Sequence, residues 1–300
     1  MIKEFNFCKK SFMQKKIQWL DWQEDVEKEK ITSIDSDLIL LEKPIIKSKF
    51  QYPFKTDMTT AQICLSGHTE GYINLKPYIS SAPSLTIILP DQILQHKYMS
   101  DDFSGLFIVM SKKFIGSLNI QSSIPLFRSI NDNPTIPLSE NGLNSTIAYY
   151  NMLKESIQKT DNPYRLETVK YLTLAFFYGA SYAFHKISEY KDKSKNEMIV
   201  DKFLELVKEN YRQERHVVFY AGKLCLTPKY LASLIKANTG QSANDWIDQY
   251  VVLEAKALLK STNMTVQQVS DELNFPSQSF FGKYFKRLTT ISPGEYKKLL

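Results

Sequence analysis

A basic surface is predicted in the segment NFPSQSFFGKYFKRL, residues 274–288. When the segment is wound as an α-helix with about 3.6 residues per turn, Phe281, Phe285 and Leu288 fall on one side. The other side has no acidic residue and combines short side chains with basic ones: Ser279, Gly282, Lys283, Lys286 and Arg287. The apolar side can pack into a small core, while the positive side has the chemistry to contact a negatively charged partner.

The same pattern occurs earlier in the chain, in LTPKYLASLIKANTG, residues 226–240. Leu231 and Ile235 take the places of Phe281 and Phe285 on the apolar side. The opposite side again carries small and basic residues: Lys229, Ala232, Ser233 and Lys236. A solvated lysine face could explain either helix alone, but two helices with the same arrangement indicate a duplicated unit.

The first basic helix follows a shorter helix and a tight turn. The shorter helix is predicted in VVFYAGKLCL, residues 217–226, with the small residue Ala221 where the two helices cross. Thr227 is expected to cap the basic helix, and Pro228 suits its first position. This order is typical of a helix-turn-helix, whose second helix enters the major groove of DNA.

The second basic helix has an equivalent approach in TVQQVSDELNF, residues 265–275. Thr265 and Gln268 form a predicted capping box, and Asn274 tolerates the left-handed backbone that a tight turn requires. Ser270 is the small residue at the expected helix crossing. Residues 242–261 between the two units have the period of one long connecting helix.

The charge of the chain agrees with this placement of the basic faces. The net charge is +6, and residues 222–300, with ten basic and six acidic residues, contribute +4 of it. None of the six acidic residues falls on either predicted groove face. The C-terminal region therefore has the electrostatic character expected of a nucleic-acid-binding domain.

The segment AKALLKSTNMTVQQVSDELNFPSQSFFGKYFKRLTTISPGEY, residues 255–296, resembles the AraC/XylS family of bacterial transcription regulators. The resemblance implies two helix-turn-helix units joined by a helix over residues 193–300. It also implies a sequence-specific activator whose partners are double-stranded DNA and RNA polymerase. The N-terminal region resembles the cupin-like β-barrel sensors of that family in general order, which implies a small-molecule effector and a homodimer.

The resemblance also indicates which residues contact DNA. The family's groove-facing positions correspond here to Lys229, Ala232, Ser233 and Lys236 in the first unit, and to Gln278, Ser279, Gly282, Lys283 and Lys286 in the second. Arg287 is added because it flanks the second positive face.

Four positions depart from the family pattern. Ser233 stands where the family often has arginine, which weakens the case for base readout by the first unit. Cys225 replaces the usual turn glycine, and Thr290 replaces the glycine that follows the second unit. Val251 lies where the connecting helix usually has an arginine. These changes affect the expected sequence preference and leave the expected architecture intact.

The N-terminal region is predicted to be rich in β-strands. Short apolar runs separated by turn residues lie at 38–41, 61–65, 85–90 and 105–110. Residues 71–79, GYINLKPYI, alternate in the manner of one half-buried strand. Many short strands at close spacing favour a barrel or a sandwich. With the resemblance, we assign residues 1–140 to a cupin-like β-barrel in an α+β protein.

Two helices are predicted at 143–159 and 164–190, after a proline-containing loop. The second is so rich in aromatic residues that another surface must cover it. That surface is either the chain's own barrel or a second copy, so residues 141–192 are assigned as a helical dimerisation segment and linker. Residues 189–197, EYKDKSKNE, are charged and have no apolar anchor, and they are expected to be a linker or an exposed helix end.

Other features favour a cytoplasmic protein. The three cysteines, Cys8, Cys64 and Cys225, lie far apart and form no disulfide pattern. The first 16 residues lack the apolar core of a secretory signal. The most apolar stretch, residues 171–184, is too short to span a bilayer and is expected to be a buried helix.

An enzyme is not predicted. No two of the four histidines, His68, His96, His185 and His216, have the spacing of metal ligands, although Glu70 near His68 is a weak candidate. The chain has no nucleophile elbow, phosphate-binding loop or zinc-protease motif, so we expect no cofactor. The alternative to a DNA-binding regulator is a ligand-binding barrel whose helical tail mediates protein contacts.

Overall fold

The computed structural model describes residues 32–34, 37–42, 52–55, 57–118, 125–188 and 194–299. Within these residues the N-terminal region contains ten strands. In chain order they are β1 (Thr32–Ile34), β2 (Leu38–Leu41), β3 (Phe54–Lys55), β4 (Thr59–Ser66), β5 (His68–Ile73), β6 (Lys76–Ser81), β7 (Ser84–Ile88), β8 (Ile93–Met99), β9 (Ser104–Met110) and β10 (Thr135–Pro137). The predicted α+β class, with strands preceding an all-helical region, is confirmed.

The strands form two antiparallel sheets. The large sheet has the order β1-β2-β9-β4-β7-β10, and the small sheet has the order β3-β8-β5-β6. The predicted closed barrel is therefore wrong, and the sandwich that the strand spacing also allowed is correct. Three of the four edge strands, β1, β3 and β10, have only two or three residues. In the described part of the chain they pair only within their own sheets, so no ladder closes a barrel.

Residues 71–79 form a hairpin instead of the single strand that alternation predicted. Strand β5 ends at Ile73 and β6 begins at Lys76, which pairs with Ile73. The two turn residues, Asn74 and Leu75, have φ of +48° and +70°, as a type I′ turn requires. The Asn74 side-chain oxygen also accepts a hydrogen bond from the Ile93 N–H at 2.8 Å. This long-range bond helps to hold Asn74 in its left-handed conformation.

In the part of the chain that the structure describes, four helices accompany the sheets: α1 (Lys112–Ser117), α2 (Pro125–Asp132), α3 (Glu140–Gln158) and α4 (Arg165–Ser188). The last two match the predicted helices at 143–159 and 164–190 to within a few residues. One apolar core joins the large sheet to these helices, and it includes Ile63, Ile87, Leu153 and Phe177. No helix in the described residues is long and apolar enough to cross a membrane.

Over the residues whose side chains are described, helix α4 is buried on one side, whereas the sequence predicted a buried helix at 171–184. Val169 and Phe177 lie in the core, while Tyr171, Tyr178 and Tyr182 are exposed. These aromatic residues therefore have two roles: Phe177 packs inside, and the three tyrosines face outward. Tyrosine tolerates this position because its hydroxyl can remain hydrated.

The C-terminal region is all-helical: α5 (Lys195–Asn210), α6 (Val217–Lys223), α7 (Pro228–Thr239), α8 (Ala243–Ser261), α9 (Val266–Glu272), α10 (Gln278–Thr289) and α11 (Pro293–Lys298). Of the predicted linker at 189–197, residues 189–193 lie outside the described residues. Ser194 and Glu197 form a capping box that begins α5, so this part is an exposed helix end. The long connecting helix is confirmed as α8, and Val251, Ala255 and Leu259 place it in the centre of the core.

The small sheet packs against the connecting helix. Ile93 of β8 and Leu75 of the hairpin turn contact Leu253 and Ala257 of α8 in one apolar cluster. Helix α8 is thus covered by the other C-terminal helices on some sides and by the small sheet on another.

Candidate nucleic-acid interface

The first helix-turn-helix unit consists of α6 and α7. Ala221 is fully buried, as predicted for the helix crossing. The Thr227 hydroxyl accepts a hydrogen bond from the Tyr230 N–H at 3.2 Å, and Pro228 is the first residue of α7. The predicted cap and first helical position are both confirmed.

The second unit consists of α9 and α10. The predicted capping box is present, because the Thr265 hydroxyl accepts from the Gln268 N–H and the Gln268 side chain accepts from the Thr265 N–H. Asn274 has φ of +52°, the left-handed turn conformation that was predicted. Ser277 caps α10 by accepting from the Phe280 N–H at 3.2 Å. The two units therefore use equivalent local signals to begin their second helices.

The apolar sides of both second helices face the core. Leu231 and Ile235 of α7, like Phe281 and Phe285 of α10, are each 0% exposed. Burial of four large apolar side chains fixes the rotation of each helix about its axis, since turning either helix would expose them. The opposite faces are consequently directed toward solvent.

The predicted DNA-binding residues are all accessible. Ala232 and Gly282 are half-buried, and the other eight are largely exposed polar or basic residues: Lys229, Ser233, Lys236, Gln278, Ser279, Lys283, Lys286 and Arg287. Within the described part of the chain, none of the four lysines forms an ion pair. A Cβ atom added at Gly282 would meet no heavy atom within 4 Å, so this helix face is open.

The six acidic residues of this region are engaged elsewhere. Asp245 and Glu295 belong to the capping boxes of α8 and α11. Glu254 is buried, and Glu272 pairs with Arg212. Asp271 accepts from Gln267, and Asp248 accepts from Tyr284 and also from Arg287, which flanks the second groove face. None of the four groove-face lysines forms an ion pair with these carboxylates, although Glu295 interacts electrostatically with Lys286, so most of the positive potential of the two faces remains.

Arg287 differs from the other predicted DNA contacts. Its Nη2 donates to Asp248 Oδ2 at 3.2 Å, and its guanidinium lies 5.4 Å from the centre of the Tyr284 ring. Burial, and then the hydrogen bond to Asp248, raise the pKa of the Tyr284 hydroxyl. Arg287 is 63% exposed in its side chain but is held toward α8. Its contact with DNA stays a prediction.

The two second helices end in the same way with different residues. Gly240 ends α7 with φ of +74°, and Thr290 ends α10 with φ of +70°. Each N–H donates at 2.9 Å to a lysine carbonyl one turn earlier, Lys236 and Lys286 respectively. A β-branched residue in the left-handed region is strained, whereas glycine is not. Cys225, with φ of +55°, similarly occupies a turn position where the family usually has glycine.

We expect Thr290→Gly to raise the free energy of unfolding by about 0.5–1 kcal/mol, because it removes this strain. The matched control is Gly240→Thr, which introduces the same strain and should lower stability by about 1–2 kcal/mol. Urea denaturation followed by circular dichroism measures both. Shifts of the two midpoints in the same direction would contradict the prediction.

Two residues that link the helix-turn-helix units were not predicted from the sequence. Arg212 and Arg215 lie between α5 and α6 and connect the first unit to the second. Arg212 Nη1 donates to Glu272 Oε1 of α9 at 3.2 Å, and Arg215 Nη1 donates to the Leu273 carbonyl at 2.7 Å. No local pattern predicts such contacts, because their partners are about 60 residues away.

The histidines of the sheet region do not form a metal site. Among the described residues, no group of three or more histidine, cysteine, aspartate or glutamate side chains could hold a metal ion. His96 Nδ1 lies 3.3 Å from the Thr69 hydroxyl, and burial lowers the pKa of this imidazole. His68 packs against Tyr98 with ring centres 5.4 Å apart. Both rings are thus engaged in local packing.

Comparison with known proteins is consistent with this geometry. Residues 220–299 match a family described as a helix-turn-helix domain. Over 77 residues the chain is 32% identical to the arabinose operon regulatory protein of Escherichia coli, covering 26% of each chain. It is 28% identical over 100 residues to the uncharacterized HTH-type transcriptional regulator YtdP of Bacillus subtilis, covering 33% of this chain and 13% of that protein. The chain therefore matches less than a third of the length of these curated relatives.

Two solved structures are also similar to this chain. One is the C-terminal domain of AraT, a response regulator from Geobacillus stearothermophilus, with a TM-score of 0.33 and 24% identity over 35% of this chain and 88% of that chain. The other is wild-type ToxT from Vibrio cholerae bound to an unsaturated fatty acid, with a TM-score of 0.40 and 17% identity over 88% of this chain and 94% of that chain.

Proposed function

We propose that this chain, whose C-terminal region is an AraC/XylS-type helix-turn-helix domain, is a sequence-specific DNA-binding transcription regulator. The observation that carries the proposal is the equivalence of α7 and α10. Each follows a turn, begins at a hydroxyl cap and buries one apolar side. Each then presents lysines without acidic partners to solvent, as a helix that enters the major groove requires. The proposal assigns the chain no catalytic activity.

The proposal is tested by titrating the full chain against duplex DNA. A pool of random duplexes would first be enriched for binders, and the affinity of the selected duplex would be measured at two salt concentrations. If several lysines contact phosphates, the affinity should fall by at least about a hundredfold between roughly 50 and 200 mM salt. Failure to enrich any duplex would favour the alternative of a ligand-binding region whose helical tail mediates protein contacts.

The footprint on DNA tests the two-unit arrangement. Because one helix, α8, joins both units, we expect a monomer to protect two adjacent major-groove segments separated by about 34 Å, one turn of DNA. Protection of a single segment by the bound chain would contradict this arrangement.

Within the second unit, Lys283 and Lys286 are expected to have different roles. Lys283 lies near the centre of the exposed face, so Lys283→Ala should cost about 1–3 kcal/mol on the selected duplex and relax base preference at one position. Lys286 lies toward the end that meets the DNA backbone. Lys286→Ala should weaken binding to all sequences alike and reduce the salt dependence by about one counterion.

Each lysine variant serves as the control for the other. Affinity for selected and scrambled duplexes across a salt series separates the two roles. An unchanged ratio of selected to scrambled affinity in Lys283→Ala would remove this lysine from base readout.

We infer further that the sheet region contains the effector site. A buried polar cluster between the two sheets supports this assignment, because its groups could exchange partners with a small polar ligand. Gln62 donates to the Ser80 hydroxyl at 3.2 Å, and the Ser80 and Ser84 hydroxyls lie 3.0 Å apart. The proposed effector site is tested by screening metabolites for a change in the melting temperature of the full chain and of its Gln62→Leu variant. A compound that stabilises both proteins equally would place the site elsewhere.

We also propose that the chain forms a homodimer through residues 141–192. The exposed tyrosines of α4, Tyr171, Tyr178 and Tyr182, support this because they form an outward aromatic surface. Sedimentation equilibrium of the chain and of Tyr178→Glu tests the proposal. The boundaries of the three regions, 1–140, 141–192 and 193–300, remain predictions.

Activation of transcription and contact with RNA polymerase rest on the family resemblance. Transcription in vitro from a template with the selected duplex upstream of a promoter provides the test. More transcript on adding the chain would support an activator, and less transcript would indicate a repressor.

A further inference from the structure

A buried carboxylate lies where the sheet region meets the connecting helix. The Glu254 side chain on α8 is 0% exposed, and it is shared by two cations. Lys55 Nζ of β3 donates to Oε1 at 3.1 Å and to Oε2 at 3.3 Å. Arg212 Nη2 donates to Oε1 as well. The charge of Glu254 is therefore balanced partly from the sheet region and partly from the helical region.

The network of ion pairs around Glu254 continues to the second helix-turn-helix unit. Arg212, which precedes the first unit, also pairs with Glu272 at the end of α9. Arg215 donates to the carbonyls of Leu273 and Asn274 and lies 4.0 Å from the centre of the Phe275 ring. We call residues 212–215 the strap, because this segment ties the entry of the first unit to the turn of the second.

At the other end of this network of ion pairs, Lys55 lies on the short strand β3. In the described residues, strand β3 lies at the edge of the small sheet and pairs with β8 through two residue pairs, Phe54 with Leu94 and Lys55 with Ile93. An edge strand with so few ladder hydrogen bonds can shift with little loss of backbone pairing. The position of Lys55 therefore depends both on the small sheet and on the packing of Tyr52 against Tyr296 and Lys260 of the helical region.

We propose that Lys55 is a positioning residue for DNA reading. Through Glu254 and the strap, it sets the spacing at which α7 and α10 meet DNA. This inference rests on the proposed function, and it names the route by which the sheet region would control it.

The physical reason is the cost of a buried, incompletely paired charge. When Lys55 is present, Arg212 needs to satisfy only one oxygen of Glu254, and its Nη1 remains available to Glu272. When Lys55 withdraws, the Glu254 carboxylate, which is 0% exposed, loses one of its two cations and keeps Arg212 and the neighbouring Tyr211 hydroxyl. Arg212 is then drawn toward both oxygens, since a bidentate pair with a carboxylate is its strongest arrangement. This movement weakens the bond to Glu272 and loosens the strap.

The experiment measures how strictly the full chain requires one spacing between the two protected segments. Affinity is compared for the selected duplex and for duplexes with one or two base pairs inserted between the segments. We expect Lys55→Met to reduce the preference for the selected spacing by about fivefold or more, the lower end of typical coupling between sites. Because the result is a ratio measured on one preparation, a smaller folded fraction does not change it.

Two further variants make the result specific. Lys55→Arg keeps a cation beside Glu254 and should restore the preference of the unsubstituted chain. Lys154→Met is the matched control, because it removes a lysine that pairs with Glu42 at 2.5 Å on the other side of the sheet region. A preference unchanged in Lys55→Met, or equally reduced in Lys154→Met, would overturn the inference while leaving the proposed function intact. Failure of the unsubstituted chain to bind any duplex would overturn both.

Discussion

Replacing Gly282 with glutamate is expected to abolish DNA binding while the chain remains folded. Gly282 lies on the exposed side of α10, beside Lys283, and a Cβ atom added there would meet no heavy atom within 4 Å. The glutamate side chain can therefore project outward without disturbing the core. Facing DNA phosphates, its charge should cost several kcal/mol, which lowers affinity by at least about a hundredfold.

The matched control for this variant is Gly116→Glu. Gly116 also lies in a helix and has open space around it, but it belongs to α1 in the sheet region. The two variants change the net charge equally, so a general electrostatic effect would appear in both. Circular dichroism and thermal unfolding establish that each is folded. Binding by Gly282→Glu within a few-fold of the Gly116→Glu affinity would exclude α10 from the DNA interface.

Glu254→Gln is expected to lower the free energy of unfolding by about 3–5 kcal/mol, because it leaves two cations without their shared buried partner. The side chains of Lys55 and Arg212 are only 12% and 35% exposed, so water can replace the lost carboxylate only in part. Chemical denaturation of the full chain measures the loss.

Glu272→Gln provides the comparison for the buried site. Glu272 pairs with the same Arg212, but its side chain is 41% exposed. Its removal should therefore cost no more than about 1 kcal/mol, as is usual for exposed ion pairs. Similar losses in the two variants would mean that burial of Glu254 does not determine its contribution.

The features that were predicted correctly depend on local interactions. Thr227 and Thr265 cap helices by bonding to groups three residues away, so their sequence neighbours are sufficient to identify them. Burial of Phe281 and Phe285 follows from the period of an amphipathic helix. The duplicated arrangement strengthened both inferences, because each unit provided an independent example of the same pattern.

The features that were missed depend on distant partners. Alternation in residues 71–79 indicated a strand but not its reversal, because Leu75 is not a typical residue for a backbone with positive φ. The contact of Asn74 with Ile93 helps to maintain that turn and is not visible locally. Likewise, Lys55 and Glu254 are 199 residues apart, and nothing near either residue in the sequence indicates their pairing. Closure of the strands into a barrel could not be predicted locally either, because it depends on which edge strands pair.

The packing of the small sheet on α8 has a practical consequence for protein production. A shortened chain beginning at Ser194 would retain both reading units but would present Leu253 and Ala257 to water. It would also leave the Glu254 carboxylate with Arg212 and without Lys55. An uncovered apolar patch promotes self-association. Polar replacement of Leu253 is therefore the first modification to include when the reading units are prepared alone for crystallisation or spectroscopy.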